Sequence, residues 1–442
     1  MIAPQITLRA LRAHAQKPLF SLAFSLCALM LCSDAPVWAE EPVAALSDAV
    51  EEADPKAPDE VEGLKARVKA LEEMVELMSA VSADAPEAPQ AASASASGGG
   101  GMGFELDLAF ILDVALAWFS EESMQTGAHD PSENGFNLQQ LELALGANVD
   151  HLFELKACLV FSAFGVEIEE AYGRTLALPG GLQLKVGQFL TQMGRLNPTH
   201  PHAWSFVDQP LVNGIFLGSE GSRGLGVEFS WLTPAPWYLE LLASATDPAG
   251  EANARSFMGG QDLGVSTPAD FLYTLGVRQF FDVADDVGLA WGMTAQLGPN
   301  STGNGNRSEL YGTDLYLRWR PADSASRMAL SWTVEAMMRR RQVPGDLRTD
   351  FGGYTQLVWN INPAWEVGAR YGFVSGSPGD DLIPEATDDR HRVSAQVTLR
   401  PSHFSRIRLQ GSWDRPLYMP EPIFAGMLAF EFLIGAHGAH NY

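Results

Sequence analysis

From Phe104 onward the chain alternates large apolar residues with polar ones at a period of two. In the stretch from Phe104 to Trp118 every even position is large and apolar, while the odd set carries Glu105, Asp107 and Asp113. Successive residues of a strand point to opposite faces, so this pattern predicts a β-strand with one greasy face. The pattern recurs. Phe153, Leu155, Ala157, Leu159 and Phe161 alternate with Glu154 and Lys156; Leu225, Val227, Phe229 and Trp231 alternate with Glu228 and Ser230. Val393, Ala395, Val397 and Leu399 alternate with Arg392, Ser394, Gln396, Thr398 and Arg400. Segments of this kind predict strands at about 104–119, 136–149, 152–162, 166–176, 182–190, 224–232, 237–246, 271–281, 287–297, 310–320, 328–340, 351–361, 364–374, 391–400, 405–414 and 423–435. That makes sixteen, each about as long as a tilted membrane strand.

The connections give an independent check. Counted from the first strand, even-to-odd joints are tight, as at Asp150-His151, Asn362-Pro363, and the stretches Thr233–Pro236 and Pro401–Phe404. Most odd-to-even joints are long: 120–135, 191–223, 247–270, 298–309 and 375–390, with a short exception near Ala163–Gly165. Barrels of the outer membrane put short turns on the periplasmic side and long loops outside, whereas a two-sheet soluble protein has no reason to sort its loops by parity. Trp118, Trp231, Trp237, Trp319, Trp359, Trp365 and Trp413 fall near strand ends, and the last residue is Tyr442, in keeping with interfacial aromatic belts. The predicted fold is therefore all-β: a transmembrane antiparallel β-barrel of sixteen strands over residues 104–442. Both chain ends are expected in the periplasm.

Ahead of the barrel the texture differs. Arg9, Arg12 and Lys17 precede an apolar run from Leu19 to Cys32, and Val37-Trp38-Ala39 supplies small residues for cleavage, so 1–39 reads as a signal peptide. The run is short of the roughly 20 residues of a spanning helix. Acylation of Cys32 is the alternative, opposed by the bulk of Leu31 before it. Residues 40–103 are expected to form a periplasmic segment. Within it Val61, Leu64, Val68, Leu71, Val75 and Met78 alternate spacings of three and four, predicting a short coiled-coil helix over 61–78, with a lone amphipathic helix as the other reading. Residues 81–103, rich in Ala and Ser and ending in four glycines, read as a flexible linker.

Charge adds function. A net charge of -25 argues against binding to nucleic acid through phosphate neutralisation. The mature chain would keep only Cys158 and form no internal disulfide. Residues 104–269 hold 20 acidic and 6 basic groups, whereas 270–442 hold 19 and 16, so the arginines come late. With apolar faces toward lipid, the lumen would be lined by Glu105, Asp107, Asp113, Glu142, Glu154, Glu228 and Glu240 in early strands. Arg278, Arg318, Arg339, Arg370, Arg392, Arg406 and Arg408 would line it in later ones. Strand order is spatial order in an up-and-down barrel, so acids and bases would face each other across the lumen.

Glu170-Ala171-Tyr172, the stretch Leu184–Phe189 leading to Met193-Gly194-Arg195, and the long segment that follows resemble the phosphate-selective porins and the general outer-membrane porins. The quoted motifs cover about 165–225, the architecture about 60–442. The resemblance implies a trimer that admits small polar or anionic solutes by passive diffusion, with outer-membrane lipid around it and the third external loop folded inward as a constriction. That loop would carry Arg195, His200, His202, Asp208, Glu220 and Arg223. Only Arg195 and Arg223 are basic there, so phosphate selectivity is not carried over. No cofactor is expected, and no nucleophile elbow or phosphate loop stands in a strand-to-helix context, so no enzyme is expected either. A barrel-embedded, lipase-like enzyme and a non-conducting structural barrel are the alternatives. His200-Pro201-His202 and His437-Gly438-Ala439-His440 have metal-ligand residue types but no cysteine or full ligand set beside them in sequence, so no metal site is expected.

Overall fold

The computed structural model describes residues 106–435, apart from 163–164, 177, 249–255, 260–263, 322–326 and 378–385. By internal contacts the chain divides into Met1–Gly98 and Gly99–Tyr442. The signal peptide, the helix over 61–78, the linker, Glu105, His437 and His440 lie outside the described residues.

The second unit is one closed sheet. Its strands are β1 (Leu106–Phe119), β2 (Gly135–Asn148), β3 (Phe153–Ser162), β4 (Gly165–Thr175), β5 (Leu182–Leu190), β6 (Arg223–Leu232), β7 (Tyr238–Thr246) and β8 (Leu272–Ala284). They continue as β9 (Val287–Pro299), β10 (Arg307–Trp319), β11 (Ala329–Val343), β12 (Asp346–Asn360), β13 (Trp365–Val374), β14 (Arg390–Ser402), β15 (Ser405–Pro416) and β16 (Ile423–Gly435). Each pairs antiparallel with its sequence neighbours, and β1 pairs with β16 from Ala109↔Gly435 to Phe119↔Ala425. Closure leaves no strand edge, which hydrocarbon demands because an unpaired backbone N–H or C=O has no water there to bond.

The alternation read from sequence maps onto the two faces. On β14, Arg392, Ser394, Gln396 and Thr398 are buried, while Val393 and Val397 are exposed. Outward-facing Leu155, Leu225, Phe229 and Leu409 belong to a broad apolar surface, with Trp118 and Trp413 toward one end of the strands and Trp231, Trp359 and Trp365 toward the other. A soluble protein would not leave so much large apolar surface open.

Sixteen strands form, with ends within a few residues of expectation except at the β11–β12 hairpin. There the apolar run stops near Arg339, yet pairing continues to Val343↔Asp346 around a two-residue turn at Pro344-Gly345, where Gly345 takes φ 79°. Cross-strand charge replaces apolar alternation: Arg339 and Asp350 are register partners, joined by bonds of 3.0 and 2.5 Å. This odd-to-even joint is therefore tight, unlike 120–134, 191–222 and 375–389. The register shifts between β8 and β9 after Asp282, between β14 and β15 after Leu399, and at two bulges among the early strands. Gln139 is skipped between β1 and β2, and Glu169 between β3 and β4.

Leu409 sits near the middle of β15 at 57% exposure, next to the inward and buried Gln410. Replacing it by Arg should destabilise the barrel in a bilayer by about 2–4 kcal/mol, whereas Leu409→Phe should be nearly neutral. Denaturant unfolding in phospholipid vesicles reads both; equal stability of the two variants would show that this face does not meet lipid.

Candidate functional site

The segment 191–222, between β5 and β6, runs through the inside of the barrel. Its two ends are clamped together: Asn197 Nδ2 donates to the carbonyls of Thr191 and Ser222, both at 2.8 Å, and its Oδ1 accepts from Ser222 N at 2.8 Å. Gln296 on β9 then reaches Thr191 Oγ1 at 2.8 Å and Ser222 Oγ at 2.9 Å, tying the neck to the wall. Beyond the neck, Gly194 N donates to Thr294 Oγ1 (3.2 Å) and Leu196 N to Glu335 Oε2 (3.3 Å), while the Arg195 guanidinium lies over the Tyr316 ring at 3.9 Å. Gly194 takes φ 66° with the Glu335 carboxylate against the place a Cβ would fill, so any side chain there would be strained and would displace that carboxylate.

The segment next meets the early strands. His200 Nδ1 is 2.9 Å from Glu169 Oε2 and its Nε2 is 3.1 Å from Glu170 Oε2; His202 Nδ1 is 2.7 Å from Glu142 Oε2. Adjacent strand residues normally face opposite ways. The bulge at Glu169 is what turns both Glu169 and Glu170 toward one imidazole.

Farther along, the segment lies on the arginines of the late strands. Trp204 O accepts from Arg406 (2.9 Å) and Arg408 (3.3 Å), Phe206 O from Arg408 (3.1 Å), and Val207 N donates to Gln410 Oε1 (2.7 Å). Asp208 is fully buried between Arg370 and Arg392, 2.9 Å from the latter, and accepts from Gln410 at 2.6 Å. Burial alone would raise its pKa, but the two guanidiniums hold it below the ordinary carboxylate range. Helix α1 (Leu211–Phe216) follows, buried along its whole length, with Gly214 allowing Thr126 of the 120–134 loop to approach it. Leu211, Val212, Phe216 and Leu217 pack with Leu272, Leu310, Met337, Tyr354 and Val374, and Val207 joins a second apolar cluster with Ala115, Phe119, Met427 and Ala429.

What stays open is a cavity of about 850 Å³. Asp107, Glu142, Glu154, Glu228, Glu240 and Arg278 line it, as do Arg195 and His200. Its acids stand beside bases rather than opposite them: Glu154 meets Arg174 at 2.6 Å and Lys156 at 3.1 Å, and Glu228 meets Lys185 at 2.8 Å. The late arginines lie elsewhere. Arg339, Arg370, Arg392, Arg406 and Arg408 are buried, the first held by Asp350 and the others by Asp208, Asp414, Glu431, Asp113 and loop carbonyls. Arg318 is half-buried on β10, and Asp113 is buried against Arg408 at 3.4 Å. Acids and bases thus do not form two open walls, because the loop covers the basic one.

The other loop residues anchor. Glu220 accepts from His129 at 3.2 Å, and Arg223, at the start of β6, pairs with Glu167. Burial disfavours a charged His129, but Glu220, assisted by Glu169, overrides it and pushes the pKa up to about 9. Sequence reading missed Cys158 and Glu169 as partners of His200. Cys158 Sγ lies 3.6 Å from Glu169 Oε2 and 3.9 Å from His200 Nδ1, and with Glu142 these four offer ligand atoms within 4.8 Å of one another. The Glu169-Glu170 pair, two acids in succession within an alternating strand, was the available signal.

A closed sixteen-stranded barrel with a long segment threaded through its lumen defines the class of protein. No family model matches the chain. Over 346 residues it is 33% identical to an uncharacterized protein of Aquifex aeolicus (strain VF5), covering 72% of this chain and 73% of that one, and the chain belongs to that protein's family. Among solved structures it is similar to OprB of Pseudomonas putida (11% identity, TM-score 0.53, 75% of this chain and 94% of that one). It is also similar to the outer membrane channel DcaP of Acinetobacter baumannii (12%, 0.51, 75% and 98%). A third is the trimer form of OmpT of Vibrio cholerae (10%, 0.50, 75% and 99%). At such identities these likenesses speak for the fold.

Asp208→Ala should leave the buried Arg370 without its carboxylate and Arg392 with Asp414 alone, loosening the loop by about 3–5 kcal/mol. Limited proteolysis should then cut within 196–218 while the barrel keeps its heat-modifiable gel mobility; uncut protein would mean that Asp208 does not hold the loop. His129 gives a pH dependence. Its folded pKa lies above the unfolded value of about 6.5, so its tie to Glu220 contributes fully below that pH and is lost as pH rises through about 9, at most about 3 kcal/mol. Thermal unfolding between pH 6 and 10 should show this loss, and His129→Ala should abolish it; a variant with the unchanged pH slope would assign the slope to another group.

Proposed function

We propose that this protein is an outer-membrane porin through which small hydrophilic solutes or ions diffuse passively, with the segment 191–222 as its constriction. The observation that carries this reading is the cavity of about 850 Å³ left between the inward segment and the early strands, polar and lined by charges of both signs. An apolar outer surface suits lipid, and a charged interior suits water. Both chain ends would then face the periplasm: Ala109 and Gly435 are paired, at the end of the barrel where the tight turns fall. A homotrimer fits the reading, since a structural relative, OmpT, has a trimer form.

Selectivity follows from the lining. Seven acids, Asp107, Glu142, Glu154, Glu170, Glu228, Glu240 and Asp314, are interleaved with five bases, Lys156, Arg174, Lys185, Arg195 and Arg278. Interleaved charge gives a weak ion preference while still favouring polar over apolar solutes. Of the bases, Arg195 comes from the inward segment, and Arg278 donates to that segment's Gln192, so these two bring positive charge to the inward segment beside Asp314.

In planar bilayers the folded protein should conduct. The double variant Arg195→Ala/Arg278→Ala should move the permeability ratio toward cations by about twofold or more, read as the reversal potential in asymmetric KCl. Absence of conductance would overturn the porin reading, and an unchanged reversal potential would remove these two residues from the selective region.

A further inference from the structure

The buried group where the inward segment meets β2, β3 and β4 has a composition that ion pairing does not call for. A salt bridge between the segment and the wall needs one base and one acid. Here His200 meets Glu169 and Glu170, His202 meets Glu142, and a thiol, Cys158, stands among them; Glu142, Cys158 and Glu169 are nearly inaccessible. A thiol adds nothing to an ion pair, but as thiolate it is a strong ligand for a borderline or soft metal ion.

We propose that Glu142, Cys158, Glu169 and His200 form a binding site for a divalent transition-metal ion of the zinc type. Tetrahedral coordination with metal–sulfur distances of about 2.3 Å and metal–nitrogen or –oxygen distances of about 2.0–2.2 Å puts ligand atoms about 3.3–3.6 Å apart. The observed separations are 3.6 Å from Cys158 Sγ to Glu169 Oε2, 3.9 Å from Sγ to His200 Nδ1 and 2.9 Å from Nδ1 to Glu169 Oε2, with all four ligand atoms inside 4.8 Å. Small side-chain rotations bring such a set onto one ion. The donors, one S, one N and two O, suit a zinc-type ion better than calcium or magnesium, which take oxygen alone.

Independent support comes from the groups behind the ligands. A metal-bound histidine characteristically gives its second ring nitrogen to a carboxylate, which fixes the ring and strengthens the ligand. His200 turns Nδ1 to the cluster and Nε2 to Glu170 Oε2 at 3.1 Å. Glu142 is likewise oriented from behind, by His202 Nδ1 at 2.7 Å, and the two imidazoles stack at 5.7 Å between centroids. The bulge that skips Glu169 allows one strand to supply a ligand and the carboxylate behind the other ligand from successive positions. A bound ion would clamp the segment to three strands at once. The site does not depend on what passes through the barrel, and its test needs no conductance.

The protein purified from outer membranes, stripped with chelator and reloaded, should take up one equivalent of Co2+ with tetrahedral visible bands and a sulfur-to-metal charge-transfer band. Cys158→Ser should abolish that band, and His200→Gln should weaken Zn2+ affinity at least about tenfold, measured by competition with a chromophoric chelator. X-ray absorption on the zinc-loaded unmodified protein avoids any folding defect of the variants, and one sulfur at about 2.3 Å is expected. A first shell of nitrogen and oxygen only, or no stoichiometric uptake, overturns the proposal whether or not the barrel conducts.

Discussion

Buried guanidinium groups that must find oxygen partners dictate the interior of this barrel. Arg370, Arg390, Arg392, Arg406 and Arg408 stand on three neighbouring strands, all buried. Their own wall supplies Asp414 and Glu431, and β1 supplies Asp113, too few acceptors for so many N–H groups. The inward segment adds the Asp208 carboxylate and the backbone carbonyls of His202, Trp204, Phe206 and Asp208, and the 120–134 loop adds Met124 O and Gln125 Oε1. An unpaired buried charge costs several kcal/mol, so neither the segment nor the arginine wall is stable in this form without the other. Carbonyl acceptors matter because they ask little of the sequence: an irregular backbone crossing a cationic wall satisfies it with whatever residues it has.

The position of the cavity follows from that dependence. The segment is drawn onto β13–β15 by charge and onto β8–β13 by the apolar cluster around α1, so the open volume is displaced toward the early strands. Those strands carry the excess of acid in the sequence. The cavity is nevertheless not a uniformly acidic wall, because Lys156, Arg174 and Lys185 sit within a few ångströms of Glu154 and Glu228. The strong transverse field suggested by the order of charges along the chain is largely spent in holding the segment.

The strands were legible because period-two alternation is local, and sixteen segments of it need no knowledge of the lumen. The β11–β12 hairpin ran past its expected ends because Arg339 and Asp350 continue the ladder with charge, and alternation of hydropathy is blind to that. Inward-facing charges were legible too, since they oppose apolar neighbours on the same strand. Which of them meet water was not. That depends on where a loop of irregular sequence comes to rest, and its anchors are contacts between residues as far apart as Asp208 and Arg392. His200 and Cys158 illustrate the same limit: nothing near either in sequence marks a partner, and they meet only because the segment re-enters beside β3 and β4.

An aqueous barrel has no need of a hydrophobic core, yet this one contains two. Leu211, Val212, Phe216 and Leu217 would be an odd choice for a loop waving in solvent, and Leu272, Leu310 and Met337 an odd choice for a water-filled wall. Full burial of one such side chain is worth about 1.5–3 kcal/mol, so a handful offsets an entropy cost of similar size for fixing a six-residue helix. The charged anchors define where the segment lies, since each demands one partner at one distance, while the apolar contacts add favourable free energy that is indifferent to direction. A gate has to open at small cost. A segment held by Asp208, clamped at its neck by Asn197 and buried along α1 does not meet that condition.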